Sequence, residues 1–206
     1  MSATWPLEAG QVILGVSLKK RRLHSVRTTA KAYQIDPRRL RKMLAAAGVV
    51  PAAGAQGARA DTWDVFPAED MHARLSQFSR LCDAKEFAAS LNMSRSQFNL
   101  LVRDGVLRPC LPNADVKTIW DPEDGAMFLA SVFEHARSLK HVDAPWVHIA
   151  KSAQRLKISP APIIRAIQMG KFEHPACSAQ HTGYAALFVD HGEVSSFLKA
   201  QKNKAG

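Results

Sequence analysis

One spacing of small and apolar residues is written three times in this 206-residue chain. Each copy opens on alanine and sets apolar residues three, five, ten and thirteen positions later. The first is Ala30, Tyr33, Ile35, Leu40 and Met43; the second is Ala88, Leu91, Met93, Phe98 and Leu101; the third is Ala153, Leu156, Ile158, Ile163 and Ala166. Few arrangements satisfy such a pattern. The first two positions share one helix face, and the last two, three apart, share the face of a second helix. The middle residue falls in the turn and fills the gap between them. Asp36, Ser94 and Ser159 follow that residue and suit the start of the second helix, where a side-chain oxygen accepts from orphan amides. Pro37 and Pro160 suit the first helical turn. Gly48, Gly105 and Gly170 suit its left-handed end. Gln34, Asn92 and Lys157 stand in the turn where glycine is the usual choice, and only asparagine is at ease there.

An extended stretch with an aspartate follows each copy. These are Trp63-Asp64-Val65-Phe66, Ile119-Trp120-Asp121-Pro122 and Leu187-Phe188-Val189-Asp190. The expected unit is helix, turn, helix, two-stranded wing and closing helix, with Asp64, Asp121 and Asp190 as equivalent helix caps. The fold class expected is mainly α with short β wings, in three tandem winged helix-turn-helix-like units. The boundaries are a basic leader over 1–22, units over 23–78, 79–139 and 146–198, and a basic tail over 199–206. The leader is expected to be partly helical from Leu7 to Leu18. A long closing helix over Gly125 to Leu139 would join units two and three, or form the face of a homodimer.

The net charge of +10 is unevenly spread. Residues 1–50 hold ten Lys and Arg against two acids, and 151–206 hold eight against three. The middle hundred residues hold ten against thirteen, so the cations sit at the two ends. Such a surface draws the phosphate backbone of nucleic acid. No apolar run approaches the roughly 20 residues that span a bilayer. Cys82, Cys110 and Cys177 are odd in number and show no CxxC spacing, which fits reduced thiols in a cytoplasmic protein; with DNA as the expected partner, the expected location is the bacterial nucleoid.

The candidate DNA-binding residues follow from charge and helix position. Lys19, Lys20, Arg21, Arg22 and Arg27 lead into the first unit, and Arg38, Arg39, Arg41 and Lys42 surround its second helix. Arginine can address guanine with two hydrogen bonds or clamp phosphate. In the second unit Arg95, Ser96, Gln97 and Asn99 open the second helix, with Arg103 further along; Gln and Asn suit adenine edges. The third helix opens Pro160-Ala161-Pro162 and offers only Arg165 and Gln168, so it is expected to touch protein or backbone. His24 and His148 precede first helices and are expected as caps or phosphate contacts.

No glycine-rich phosphate loop, GxSxG or HExxH occurs, and no catalytic residue, metal or cofactor is assigned. His174, Cys177, His181 and His191 approach zinc spacing, but the segment reads better as a hairpin ending on Asp190.

The winged arrangement resembles small excisionase-type and MerR-type DNA-binding domains. A closer resemblance rests on Arg21-Arg22-Leu23-His24-Ser25-Val26-Arg27-Thr28-Thr29-Ala30, continued by Pro37-Arg38-Arg39-Leu40-Arg41-Lys42-Met43-Leu44. Together with Ala150 to Leu156, Gly170, Gly183-Tyr184 and Val189-Asp190, these residues look like the C-terminal part of TniQ-family transposition proteins. The resemblance implies a target-site or recombination accessory factor, with double-stranded DNA and transposition or recombination proteins as partners. A winged-helix transcriptional regulator and a protein-binding adaptor are the alternatives.

Overall fold

The computed structural model describes residues 5–69, 71–112, 115–173 and 175–205, the last four by backbone alone. The chain mixes helices with small sheets and is mostly helical. It divides into two compact units, residues 1–83 with 109–121 and residues 84–108 with 122–206. The division differs from three successive segments, because the second spacing contributes helices to one unit and its trailing strand to the other.

Unit 1 begins with a hairpin, β1 (Val12–Ile13) against β2 (Val16–Ser17). No helix forms between Leu7 and Leu18, contrary to expectation. Leu14 and Gly15, at φ 49° and 80°, make the turn with two positive angles that matches the twist of paired strands. β3 (Leu23–Ser25) leads into α1 (Val26–Tyr33), and α2 (Pro37–Ala46) follows. Ser25 caps α1 in a reciprocal pair with Thr28, and Asp36 accepts from the Arg39 amide at 2.9 Å. β4 (Val65–Pro67) runs antiparallel to β3, with His24 opposite Phe66, and α3 (His72–Arg80) closes the unit. Ala30, Ile35, Leu40 and Met43 all reach the core, where Phe78 and Leu75 meet them. Burying each large side chain of this kind contributes about 1.5–3 kcal/mol.

Unit 2 begins with α4 (Ala84–Ser90) and α5 (Arg95–Arg103). The helix expected from Gly125 to Leu139 is shorter. α6 (Pro122–Phe133) stops, and β5 (Arg137–Leu139) pairs in parallel with β7 (Pro175–Ser178). Non-local strand pairing there overrides local helix preference. β6 (Trp146–His148) leads into α7 (Ile149–Arg155) and then α8 (Ala161–Gln168). β8 (Leu187–Asp190) pairs antiparallel with both β6 and β7, giving a four-stranded sheet in the order β5-β7-β8-β6. α9 (His191–Ala205) runs on through the basic tail, started by Asp190, which accepts from the Gly192 amide at 2.7 Å.

Each of the three spacings thus falls on two consecutive helices joined by one left-handed residue: Gln34, Asn92 and Lys157 at φ 54°, 50° and 54°. Two of these are residues that L side chains make uncomfortable there. The strand pairing differs from a simple hairpin after each second helix. In units 1 and 2 the trailing strand pairs with the strand that precedes the first helix, β4 with β3 and β8 with β6. Cys82 and Trp120 repeat that pairing as an isolated bridge within unit 1. This register sets Pro67, Asp121 and Asp190 after the paired Phe66, Trp120 and Val189, so Asp64 is not equivalent to the other two aspartates.

Candidate nucleic-acid interface

α2 carries four cations, and the fold gives them different tasks. Arg38 is exposed. Arg39 donates to the Leu81 carbonyl at 3.3 Å, and Lys42 pairs with Asp115 at 2.7 Å. Arg41 is 7% exposed and is not a DNA contact. Its Nε reaches Asp61 and one Nη reaches Asp64, both at 2.5 Å, while the Pro51 and Arg59 carbonyls accept its other N–H groups. Burial opposes the charge on Arg41, but hydrogen bonds to Asp61 and Asp64 outweigh it and raise its pKa. Asp64 is therefore the partner of Arg41 and not a helix cap. Loop 51–61 is pinned beside α2, where Arg38, Lys42, Ala45 and Ala52 line a groove of about 660 Å³. The face of α2 expected to enter a DNA groove is partly occupied by the chain itself.

Around α1 the leader cations divide in the same way. Lys20 pairs with Glu69 at 2.6 Å, and Arg21 with Glu8 at 3.0 Å. The Lys20 ammonium holds the exposed Glu69 carboxyl below its ordinary range. Lys19, Arg22 and Arg27 are exposed, with no side-chain partner among the described residues. Such exposed pairs contribute little to stability.

α5 presents a cleaner face. Phe98 and Leu101 point inward, while Arg95, Ser96, Asn99 and Arg103 are exposed. Positions 95, 99 and 103 are one turn apart and line up along the helix. The start of α5 is fixed by a reciprocal cap: Ser94 accepts from the Gln97 amide, and the Gln97 Oε1 accepts from the Ser94 amide at 3.0 Å. Gln97 is therefore committed to the cap by its acceptor oxygen and is not free to read adenine with two bonds. Arg103 donates to Asp104 at 2.9 Å and, with Ser159, holds that carboxyl below its ordinary value. Arg95 and Asn99 have no hydrogen-bond partner among the described residues.

α8 is occupied. Arg165 donates to the Asp104 carbonyl at 2.5 Å, Ser159 donates to the Asp104 carboxylate, and Gln168 donates to Ser131 at 2.8 Å. Arg165 thus ties α8 to the end of α5 within unit 2.

The two helix-leading histidines are structural. His24 is 8% exposed, set between Tyr33 and Phe66, and cannot reach a phosphate. His148 Nδ1 accepts from the Ala150 amide at 3.2 Å and so caps α7, which leaves Nε2 as the donor to the Tyr184 carbonyl at 3.3 Å. Burial lowers the pKa of both below 6.5, helped by Arg21 at His24 and by His181 at His148. A lowered imidazole pKa means that the unfolded chain takes up protons first. The stability these groups contribute is complete above 6.5 and is lost as pH falls below it towards their folded values. Protonation at Nδ1 of His148 also removes the cap. The melting temperature is expected to drop between about pH 7 and pH 5, and less so in His148→Asn, which keeps a capping oxygen. A melting temperature flat over that range in the parent protein would contradict this assignment.

His174 lies outside the described residues. Of its neighbours, His181 Nδ1 meets Ser178 Oγ at 3.2 Å and His191 Nδ1 meets Ser152 Oγ at 3.0 Å. Among the described residues no three His, Cys, Asp or Glu side chains stand together as metal ligands. None of the described helices is long and apolar enough to cross a membrane. Reasoning from charge and helix position does not single out Trp5 and Trp63, which the fold leaves half-exposed and in contact. No protein-family model, curated protein or solved structure matches this chain.

Proposed function

We propose that this chain is a DNA-binding protein of the winged helix-turn-helix kind, acting as a target-site or recombination accessory factor in the manner of TniQ-family proteins. The observation that carries the reading is the outer face of α5. It aligns Arg95, Asn99 and Arg103 on the solvent side of a second helix whose start is rigidly capped. A helix so presented can lie in a major groove, where asparagine reads adenine and arginine reads guanine or clamps phosphate. Lys19, Arg22, Arg27 and Arg38 supply exposed charge for backbone contact in unit 1. α8, tied down through Arg165, serves as support. The transposition role rests on the sequence resemblance alone.

The test is a gel shift against genomic fragments. Arg95→Ala and Asn99→Ala are each expected to cost about 1–3 kcal/mol of binding and to relax sequence preference. Arg38→Ala should weaken all fragments alike and make binding less salt-dependent. Failure of the unaltered protein to shift any fragment near about 50 mM salt would end the reading.

A further inference from the structure

We propose that the Trp5–Trp63 pair of unit 1 is a stacking platform for the unpaired bases of single-stranded nucleic acid. The proposal takes its class of partner from the nucleic-acid reading, but it rests on the two tryptophans of unit 1 rather than on α5, with only Arg27 common to both. Six of the eight large apolar side chains left exposed among the described residues lie in unit 1: Trp5, Val12, Leu14, Val16, Trp63 and Val65. Trp5 and Trp63 are 50% and 54% exposed, and their rings meet edge to face with centroids 5.2 Å apart. In that geometry the ring contributing its edge keeps both faces uncovered by its partner.

The platform is held firmly. The Trp63 amide donates to the Ala60 carbonyl at 2.8 Å, and the next residue is Asp64, fixed by Arg41. Two exposed arginines flank this turn. The Arg27 amide donates to the Asp61 carbonyl at 3.0 Å, and Arg59 adjoins Ala60. Neither guanidinium has a side-chain partner among the described residues. Exposed indole faces beside unpaired guanidinium groups match a strand that offers base faces and phosphates together. A closed duplex hides its base faces in the stack. A lipid surface is better met by an amphipathic helix with a broad exposed apolar face, whereas Trp5 and Trp63 both lie outside the helices.

The full chain is titrated, under tryptophan fluorescence, with single-stranded oligothymidylate, with a blunt duplex, and with vesicles of phosphatidylserine and phosphatidylcholine. Oligothymidylate is expected to quench. Trp63→Ala should weaken that binding about tenfold, Trp63→Phe should retain it, and duplex affinity should not move. Trp5→Leu, which lies outside the turn held by Arg41 and makes none of its hydrogen bonds, should show a similar loss without disturbing the fold. Unchanged oligothymidylate affinity in both variants, or quenching by vesicles and not by oligothymidylate, overturns the proposal. Arg95→Ala with Asn99→Ala should weaken the duplex and spare oligothymidylate. Failure of the α5 reading therefore appears in the duplex arm, and failure of the platform appears in the single-strand arm.

Discussion

Replacing Asp64 by alanine is expected to lower the stability of unit 1 by about 3–5 kcal/mol. The cause is what the change leaves behind. The Arg41 side chain is only 9% exposed and holds its charge against Asp64 at 8% and Asp61 at 36%. Without Asp64, a buried guanidinium keeps one half-buried acid and two carbonyls, and the Arg59 amide loses its acceptor. Taking one partner from a buried ion pair is costly, whereas replacing both by apolar groups is often neutral. Urea unfolding should therefore show a large loss for Asp64→Ala and recovery in Arg41→Met with Asp64→Leu. Arg38→Ala, one helix position group away and exposed, should stay within about 0.5 kcal/mol. A loss for Asp64→Ala no larger than that for Arg38→Ala would mean that Arg41 is not the clamp of loop 51–61.

Gly183→Ala is the second large effect, expected to cost unit 2 about 2–4 kcal/mol. Gly183 sits at φ +58°, and a Cβ there would stand 2.5 Å from the Leu91 carbonyl oxygen and 2.9 Å from its carbon. That carbonyl accepts from the Tyr184 amide at 2.8 Å, so backbone would have to move and a bond would go with it. Asn92 Nδ2 donates to the Thr182 carbonyl at 3.0 Å beside it, and that contact would be strained too. Gly170→Ala separates the two causes. It shares the left-handed angle, at φ +62°, but has open space around its Cβ. It should lose only the conformational part, about 1–2 kcal/mol. Equal losses at the two glycines in thermal unfolding would show that crowding against Leu91 contributes nothing.

Local chemistry was readable from the chain and long-range pairing was not. Asp36 and Ser94 announce helix starts because a cap needs only its own next three residues, whereas the cap position of α8 falls on Pro160 and Ser159 gives its hydroxyl to Asp104. The parallel pairing of Arg137–Leu139 with residues 176–178 depends on chain nearly forty positions away, and nothing within 137–139 signals it. The Leu14-Gly15 turn lacks the Asn-Gly or Asp-Gly signature of its type, which is why the leader read as helix. At the candidate site, Arg38 and Arg95 project as their helix positions suggest. Arg41 does not, since it lies at the margin of the apolar stripe between Leu40 and Leu44, and its fate is set by acids twenty or more residues on. The Gln97 side chain can serve a base or its own helix start, and the helix start, being nearer, takes its oxygen.

The chain passes between its two units at 83–84, 108–109 and 121–122. Neither unit is therefore a cassette. Any uninterrupted stretch that holds all of unit 1 also carries α4 and α5 away from α6, whose Gly125 sits where a Cβ would press on Phe87 and Leu91. A single junction between gene segments that passes one unit on whole splits the other, so both stay whole only when the chain is passed on undivided.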